Sequence, residues 1–213
     1  MPRRRSNDNG PSLSLDGQFL FFVSNRPGGM GLADLYVSRR IPSAAGDVWD
    51  TPVPLTSLNT PGIDAAPNYF ANEHGRPPQL YFTSTRLGGP EDIHVSELQE
   101  DGTWGVPVPV FELNSPAPDG RSTIRSDGLE IIFDSSRDAD GSTDLYASHR
   151  DHWWELWSIP EKLPDTINAG DFNARPALSH DGRTLYFTVL TAEGHLELLV
   201  STRSELRRGR RAH

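Results

Sequence analysis

Short apolar runs of strand length recur along the chain, and each follows a polar turn that ends in Gly. The turns lie at 14–17, 72–75, 125–128 and 179–182, and the apolar runs at 19–23, 80–83, 130–133 and 184–188. The runs are bounded by Gly, Pro, Asn and Asp and show no helical periodicity. The pattern therefore predicts a protein built from short β-strands.

Other landmarks follow each apolar run in a fixed order. A second strand begins with an acid at 34–38, 92–96, 144–148 and 197–201. In three copies a Trp with a Pro three residues later comes next, and then an Asn; these are Trp49, Trp104 and Trp157, with Asn59, Asn114 and Asn168. Each copy opens on an acid or an amide, namely Asp8, Asp64, Asp119 and Asn173. The chain is thus an internal repeat of about 55 residues.

A repeat with four candidate strands is typical of a β-propeller blade. We predict an all-β chain of four antiparallel, four-stranded blades, with inner strands at 11–14, 67–70, 122–125 and 176–179. The last blade should have three strands, because no Trp-x-x-Pro follows Arg203. A closed four-bladed ring is favoured over part of a six- or seven-bladed propeller, and a β-solenoid is a weaker alternative.

These landmarks also give the predicted domain organisation. A flexible basic N-terminus covers 1–7, a propeller domain covers 8–203, and an Arg-rich tail covers 204–213. The predicted blades span 8–63, 64–118, 119–172 and 173–203.

Composition narrows the possible partners. The 213-residue chain has a net charge of -9, which argues against binding to nucleic acid, and it has no Cys, which excludes disulfides and thiolate metal sites. No apolar run approaches the ~20 residues of a membrane-spanning helix, and no apolar segment follows the basic N-terminus as in a secretion signal. We therefore expect no membrane insertion.

The order Ser-x-Asp-Gly, apolar strand, Ser-Asn-Arg-Pro-Gly-Gly, Asp-Leu-Tyr-Val-Ser and Trp-x-x-Pro resembles the TolB-like (WD40-like) propeller repeat over about residues 8–203. Segment 55–61, Leu-Thr-Ser-Leu-Asn-Thr-Pro, looks most like repeats of periplasmic proteins that also carry an OmpA-like domain. The resemblance implies a bacterial, periplasmic or secreted propeller that acts as a protein-interaction or scaffold module. Other members of the family are accessory domains of peptidases.

Strand alternation places two sets of charged residues on one loop face, around the expected central channel. These are Arg26, Arg86 and Arg137, together with Asp8, Asp64 and Asp119. We expect each Arg to pair with the acid that opens the next strand, giving Arg26–Asp34, Arg86–Asp92 and Arg137–Asp144. Because the pattern repeats from blade to blade, it indicates blade construction more than a ligand site.

The acids that open the blades have a second interpretation. Asp8, Asp64 and Asp119, with Asn173 in the fourth place, would either hold a hard cation such as Ca²⁺ or Na⁺ in the channel or accept local backbone hydrogen bonds. The second alternative is favoured, and no other cofactor is expected.

Tryptophans provide the remaining candidates. Trp49, Trp104 and Trp157 follow the repeat, so we expect them to be buried in equivalent positions. Trp153 and Trp154 are additional to the repeat and would either stack on a partner or sugar, or pack locally. Local packing is the favoured alternative for this pair.

The sequence thus predicts a monomeric, non-enzymatic propeller that binds a protein or peptide through the loop face around the channel. The alternative is a glycan-binding or glycoside-processing propeller that uses carboxylates at the channel mouth. An enzyme would need acids that depart from the repeat, and no such acid is identified at this stage.

Overall fold

The computed structural model describes residues 6–43, 46–71 and 75–204. Most of the predicted N-terminal segment, most of the Arg-rich tail and part of the turn at 72–75 lie outside these residues. The described residues contain no helix, and so none that is long and apolar enough to cross a membrane.

The strands of the described ranges belong to four antiparallel sheets. Blade one contains β1 (Asp8–Leu13), β2 (Phe19–Ser24), β3 (Asp34–Ile41), β4 (Val48–Trp49) and β5 (Val53–Pro54). Blade two contains β6 (Asp64–Phe70), β7 (Gln79–Ser84), β8 (Asp92–Glu97) and β9 (Val108–Pro109). Blade three contains β10 (Asp119–Ile124), β11 (Glu130–Ser135), β12 (Asp144–His149) and β13 (Glu161–Lys162), and blade four contains β14 (Asn173–Leu178), β15 (Thr184–Leu190) and β16 (Leu196–Thr202).

The chain is a β-propeller of four repeats, as the sequence predicts, and blade four has three strands. The outer strand of blade one is divided, because both β4 and β5 pair with β3. The chain forms two compact units: the first holds blades one and two, and the second holds blades three and four. Pro90–Ile93 and the end of blade two from Pro109 lie with the second unit.

The inner strands begin three residues earlier than predicted, at the acid or amide that opens each blade. Asp8 pairs with Ser24 and Asp119 with Ser135, and a β-bulge follows before pairing resumes at Ser12 and Ser122. The prediction placed Asp8 before the strand because the bulge interrupts the alternation of side chains. The acid is therefore a fixed part of the sheet and not a loop residue.

The core of the first unit lies between blades one and two. Phe21 and Val23 of β2 belong to the same buried cluster as Leu80 and Phe82 of β7. The ring of Phe21 stacks on Tyr69 at 5.3 Å and meets Trp104 edge-on at 6.0 Å. Phe21 and Val23 are thus apolar because this face of β2 packs on blade two.

The core of the second unit has the same construction between blades three and four. Ile132, Leu145 and Ala147 of blade three belong to one buried cluster with Leu185 and Phe187 of blade four. In both units, alternate residues of the second strand of one blade contact the next blade.

The repeated Asn residues join the end of a blade to its third strand. The Asn59 side-chain oxygen accepts from the Leu35 N–H at 2.8 Å, and its amide donates to the Leu35 carbonyl at 3.0 Å. Asn114 makes the same pair of bonds with Ile93. The Asn side chain thus pairs with the third strand as a backbone peptide group would, through one donor and one acceptor. This role explains why Asn recurs at this position.

The repeated tryptophans are not equally buried, contrary to the prediction. Trp157 is 6% exposed and lies under the Arg150 guanidinium at 4.1 Å, whereas Trp104 is half-buried. Trp49 is 41% exposed because it lies on the two-residue strand β4, paired with the far end of β3. Only Trp157 is therefore a fully buried core residue of the three.

We predict that Trp157→Ala lowers the free energy of unfolding by about 3–5 kcal/mol, since it removes a large buried side chain. Trp154→Ala, in the same loop region but exposed, should change it by less than about 0.5 kcal/mol. Urea unfolding followed by circular dichroism measures both. Equal losses for the two variants would show that Trp157 does not contribute to the core as described.

Candidate functional site

A Ser, an Asp and an Arg form one hydrogen-bonded group at the start of blades one, two and three, here called the Asp–Ser–Arg triad. In blade two, the Ser84 hydroxyl donates to Asp64 Oδ1 at 2.6 Å, and Arg86 donates to the same oxygen at 3.0 Å. The Arg86 Nε–H also donates to the Ser84 oxygen at 2.9 Å. The guanidinium lies over the Phe82 ring at 5.0 Å.

The triad replaces the ion pairs expected from the sequence. The salt bridges are Arg26–Asp8 at 2.9 Å, Arg86–Asp64 at 3.0 Å and Arg137–Asp119 at 2.7 Å. The prediction of Arg26–Asp34, Arg86–Asp92 and Arg137–Asp144 is wrong, because the bulged inner strand brings its opening acid beside the Ser that ends the second strand. Asp34 instead accepts from the backbone N–H groups of Met30 and Gly31.

In blades two and three, the triad also holds the end of the preceding repeat. Arg86 donates to the Leu58 carbonyl at 2.6 Å, and Asp64 Oδ2 accepts from the backbone N–H of Thr60 at 2.6 Å. Both Leu58 and Asp64 are fully buried.

Blade three has the same arrangement with the turn that closes blade two. Arg137 donates to the Leu113 carbonyl at 2.5 Å, and Asp119 Oδ2 accepts from the Ser115 N–H at 2.5 Å. In both blades, the N–H that donates to the Asp lies two residues after the Leu whose carbonyl accepts from the Arg. The triad is therefore a connector between repeats.

The first and last blades differ from this arrangement. In blade one, Asp8, Ser24 and Arg26 have the same mutual geometry, but the Asp8 side chain is 43% exposed, against 0% for Asp64. The Ser24 hydroxyl and, next, Arg26 lower the pKa of Asp8. In blade four, Asn173 replaces the acid and donates to Asp144 and to the Gly170 carbonyl.

We expect Asp119→Asn to lower the free energy of unfolding by about 3–5 kcal/mol, because it breaks a buried ion pair and leaves Arg137 without its carboxylate. Asp8→Asn should cost less than about 1 kcal/mol, because that pair is partly exposed. Urea unfolding of the two variants is the measurement. A loss at position 8 as large as the loss at position 119 would contradict this reading of the triad.

Hydrogen bonds already engage the carboxylates considered for a cation. Asp64 and Asp119 each accept from a Ser, an Arg and a backbone N–H. Within the described ranges, no three His, Asp or Glu side chains form a group able to hold a metal ion. Each of these two carboxylates therefore has hydrogen-bond partners from the chain itself.

A second charged group lies on β11 and was missed by sequence reasoning. Glu130 is buried and accepts from Arg203 Nη1 at 2.7 Å and Nη2 at 2.5 Å, and from Arg125 at 3.0 Å. Burial opposes ionisation of Glu130, but the hydrogen bonds from Arg203 and His149 outweigh it and lower its pKa to about 2. This group joins blade four to blade three within the second unit.

Asp134, also on β11, is a further buried acid. One oxygen accepts from the Arg121 N–H at 3.0 Å and the other from the Arg175 N–H at 2.8 Å. A Cβ at position 120 would lie 1.9 Å from Asp134 Oδ1, so only Gly120 leaves room for the carboxylate. Burial raises the pKa of Asp134 to about 6 despite these bonds.

Both acids depart from the repeat, which is the signal that sequence reasoning overlooked. The positions equivalent to Glu130 hold Phe19, Gln79 and Thr184, and those equivalent to Asp134 hold Val23, Thr83 and Thr188. Aligning the blades at the Ser that ends the second strand exposes both differences.

The raised pKa of Asp134 makes the free energy of unfolding depend on pH in a defined direction. Its folded-state pKa lies above the ordinary value of 3.8, so protonation favours the folded state. The contribution of Asp134 to the free energy of unfolding is greatest below about pH 4, falls as the pH rises to about 6, and is constant above that pH. The total loss is about 3 kcal/mol for a shift of about two pKa units.

We therefore predict that Asp134→Asn, which cannot ionise, gains stability relative to the parent as the pH rises from 4 to 8. Urea unfolding of both proteins at several pH values measures the difference. A difference that is the same at pH 4 and pH 8 would show that the Asp134 carboxyl is not shifted upward.

Trp153 and Trp154 lie together in the irregular loop that follows β12. Their rings meet edge-on at 5.1 Å, and Trp154 stacks on His152 at 4.6 Å. Trp154 is 62% exposed, and Leu156 and Ile159 of the same loop are also exposed. This segment, here called the Trp154 loop, carries three exposed apolar side chains between positions 154 and 159.

Comparisons with known proteins place this fold among propellers. A scan against protein-family models gives no match, and a search of curated proteins gives none. TolB from Acinetobacter baumannii is similar over 92% of this chain and 41% of its own, at 19% identity and a TM-score of 0.60. The α-L-arabinofuranosidase of Podospora anserina is similar over 95% and 66%, at 15% identity and a TM-score of 0.60.

An exo-1,5-α-L-arabinanase from a bovine ruminal metagenomic library is similar over 95% of this chain and 76% of its own, at 13% identity and a TM-score of 0.62. The chain spans less than two thirds of the length of the TolB and arabinofuranosidase chains. At these identities the likeness shows the fold alone. The fold is a TolB-like β-propeller, and it is shared with the α-L-arabinofuranosidase and the exo-1,5-α-L-arabinanase.

Proposed function

We propose that this propeller is a protein- or peptide-binding module, and that the Trp154 loop is a contact surface for the partner. The observation that carries the proposal is that Trp154, Leu156 and Ile159 are all exposed on one short irregular loop. Exposed aromatic side chains in such clusters dominate the energy of protein interfaces. The resemblance of the repeat to TolB-like propellers supports the same class of function.

The carboxylates support this proposal over an enzymatic one. A glycoside hydrolase needs two carboxyl groups that face one substrate, one of them with a raised pKa. Asp134 has a raised pKa, but both of its oxygens accept backbone N–H groups inside the second unit. Asp64 and Asp119 are held by Ser and Arg in a repeated arrangement that joins blades. These acids have structural roles.

Glycan binding is the second candidate function, and the Trp154 loop is the feature that favours it. Tryptophan rings stack on sugars as well as on protein side chains, and the fold is shared with arabinofuranosidases and arabinanases. Peptides and glycans are therefore tested side by side.

The experiment selects peptides from a random display library on the immobilised protein and tests arabinan and xylan oligosaccharides in parallel. We expect selected peptides to bind, and Trp154→Ala to weaken binding at least tenfold, as for an interface hot spot. Phe111→Ala removes an even more exposed aromatic side chain on another blade and should leave binding unchanged.

Two outcomes would contradict the proposal. Saturable binding of oligosaccharides without peptide binding would establish the glycan alternative. Peptide binding that Trp154→Ala leaves unchanged would place the contact surface elsewhere on the protein.

A further inference from the structure

The buried carboxylate of Asp134 holds two arginines next to each other in the second unit. One oxygen accepts from the Arg121 N–H at 3.0 Å, and the other accepts from the Arg175 N–H at 2.8 Å. Arg121 lies on β10, the inner strand of blade three, and Arg175 lies on β14, the inner strand of blade four. Because both N–H groups donate to one carboxylate, the two side chains start from neighbouring points of the backbone.

The corresponding positions of the first unit carry no charge. Arg121 is the third residue of its blade, as Gly10 is the third residue of blade one. Arg175 and Ala66 have the same place in blades four and two. A Cβ at position 10 would lie 3.9 Å from the Ala66 Cα, so these two positions are also adjacent. Since neither Gly nor Ala can make the contacts of an arginine, the arginine pair is not part of the junction that recurs between repeats.

The two guanidinium groups have no counter-ion in the part of the chain that the structure describes. No side-chain hydrogen bond or ion pair joins Arg121 or Arg175 to another of these residues. Arg175 is exposed and Arg121 is half-buried, so both are accessible to a ligand. Neighbouring like charges repel each other, and an anion that contacts both would offset this repulsion. Guanidinium groups bind oxyanions in particular, because their N–H donors match two oxygens at once.

We propose that Arg121 and Arg175 form a binding site for a small, doubly charged oxyanion with the chemistry of sulfate or phosphate. Each guanidinium donates to oxygens of the anion, and Asp134 is a positioning residue that fixes the backbone of both arginines. The inference goes beyond the proposed function, because it concerns a small ligand and residues other than those of the Trp154 loop.

Anion binding at this site is coupled to protonation of Asp134. Burial is the main cause that raises the pKa of Asp134 to about 6; the charge of Glu91 also raises it, whereas Arg121 and the N–H of Arg175 lower it. A bound dianion adds negative charge nearby and raises this pKa further, so the site takes up a proton as the anion binds. The affinity should therefore fall about tenfold or more as the pH rises from 5 to 7.5.

The probe is inorganic sulfate, which keeps both of its charges over this pH range, and inorganic phosphate is titrated in parallel. The full chain labelled with ¹⁵N is followed by NMR at constant ionic strength, with sodium chloride as the balancing salt. We expect saturable shifts at the backbone N–H and Nε–H signals of Arg121 and Arg175. The dissociation constant for sulfate should be below about 1 mM at pH 5.

Two variants remove the proposed contacts with the anion. Arg175→Gly is compatible with the backbone, because φ is 58° at position 175 and 60° at the equivalent Gly10. Arg175→Gly and Arg121→Ala should each weaken sulfate binding at least tenfold. Arg183→Ala removes another exposed arginine of blade four and should leave binding unchanged. Thermal unfolding confirms that each variant is folded, and Arg175→Gly remains the test if Arg121→Ala is not.

A third variant tests the coupling to a proton. Asp134→Asn cannot ionise, so its affinity for sulfate should be the same at pH 5 and pH 7.5. A residue with only a structural role would not change the pH profile in this way. A pH dependence that persists in Asp134→Asn would assign the proton to another group, such as a histidine, and would contradict the coupling.

Three results would overturn the anion site itself. The first is the absence of saturable shifts with either anion. The second is sulfate binding that Arg175→Gly and Arg121→Ala leave unchanged. The third is an equal loss of affinity for Arg183→Ala, which would show that sulfate responds to the overall charge of the blade and not to the arginine pair.

Discussion

The junctions of blades two and three with the repeats before them depend on one interaction, the contact of an Asp–Ser–Arg triad with the closing turn of the preceding repeat. An isolated propeller blade leaves apolar side chains exposed, so blades must pack against one another in a defined arrangement. The apolar clusters supply most of the stabilisation, but they do not define which backbone groups meet. The triad does so, because a carbonyl and an N–H at fixed spacing must reach an Arg and an Asp at the same time.

Fold and repeat were largely predictable because turns and apolar runs recur with a fixed period. The strand registers, and with them the partners of the charged side chains, were less predictable. The β-bulge after Asp8 and its equivalents shifts the side-chain alternation, so the sequence suggested Asp34 as the partner of Arg26 where the structure has Asp8. Trp49 and Trp157 occupy the same place in the repeat but differ in burial, since burial depends on neighbours that a repeat pattern does not reveal.

The candidate site was predictable in composition but not in role. Asp64, Asp119, Arg86 and Arg137 do come together, as connectors inside the fold and not as an open binding face. Glu130 and Asp134 are detectable only when the blades are aligned and compared position by position. The surface that we propose for a partner, the Trp154 loop, occurs where blade three departs from the repeat, since Trp153 and Trp154 have no counterpart in the other blades.

The two halves of the connector lie at opposite ends of a repeat, and this affects how such chains can lengthen by duplication. A repeat begins with the receiving Asp and ends with the delivered Leu-Asn turn, so a unit of about 55 residues carries both halves of its own junction. Tandem duplication of such a unit adds a blade without inventing any new contact. Blade four, which has Asn173 and Val189 where the others have Asp and Ser, lacks the receiving half and has diverged from this scheme. Duplication of blade one or blade two would therefore repeat the junction, whereas blade three ends on Ile167-Asn168-Ala169 and blade four has no receiving half.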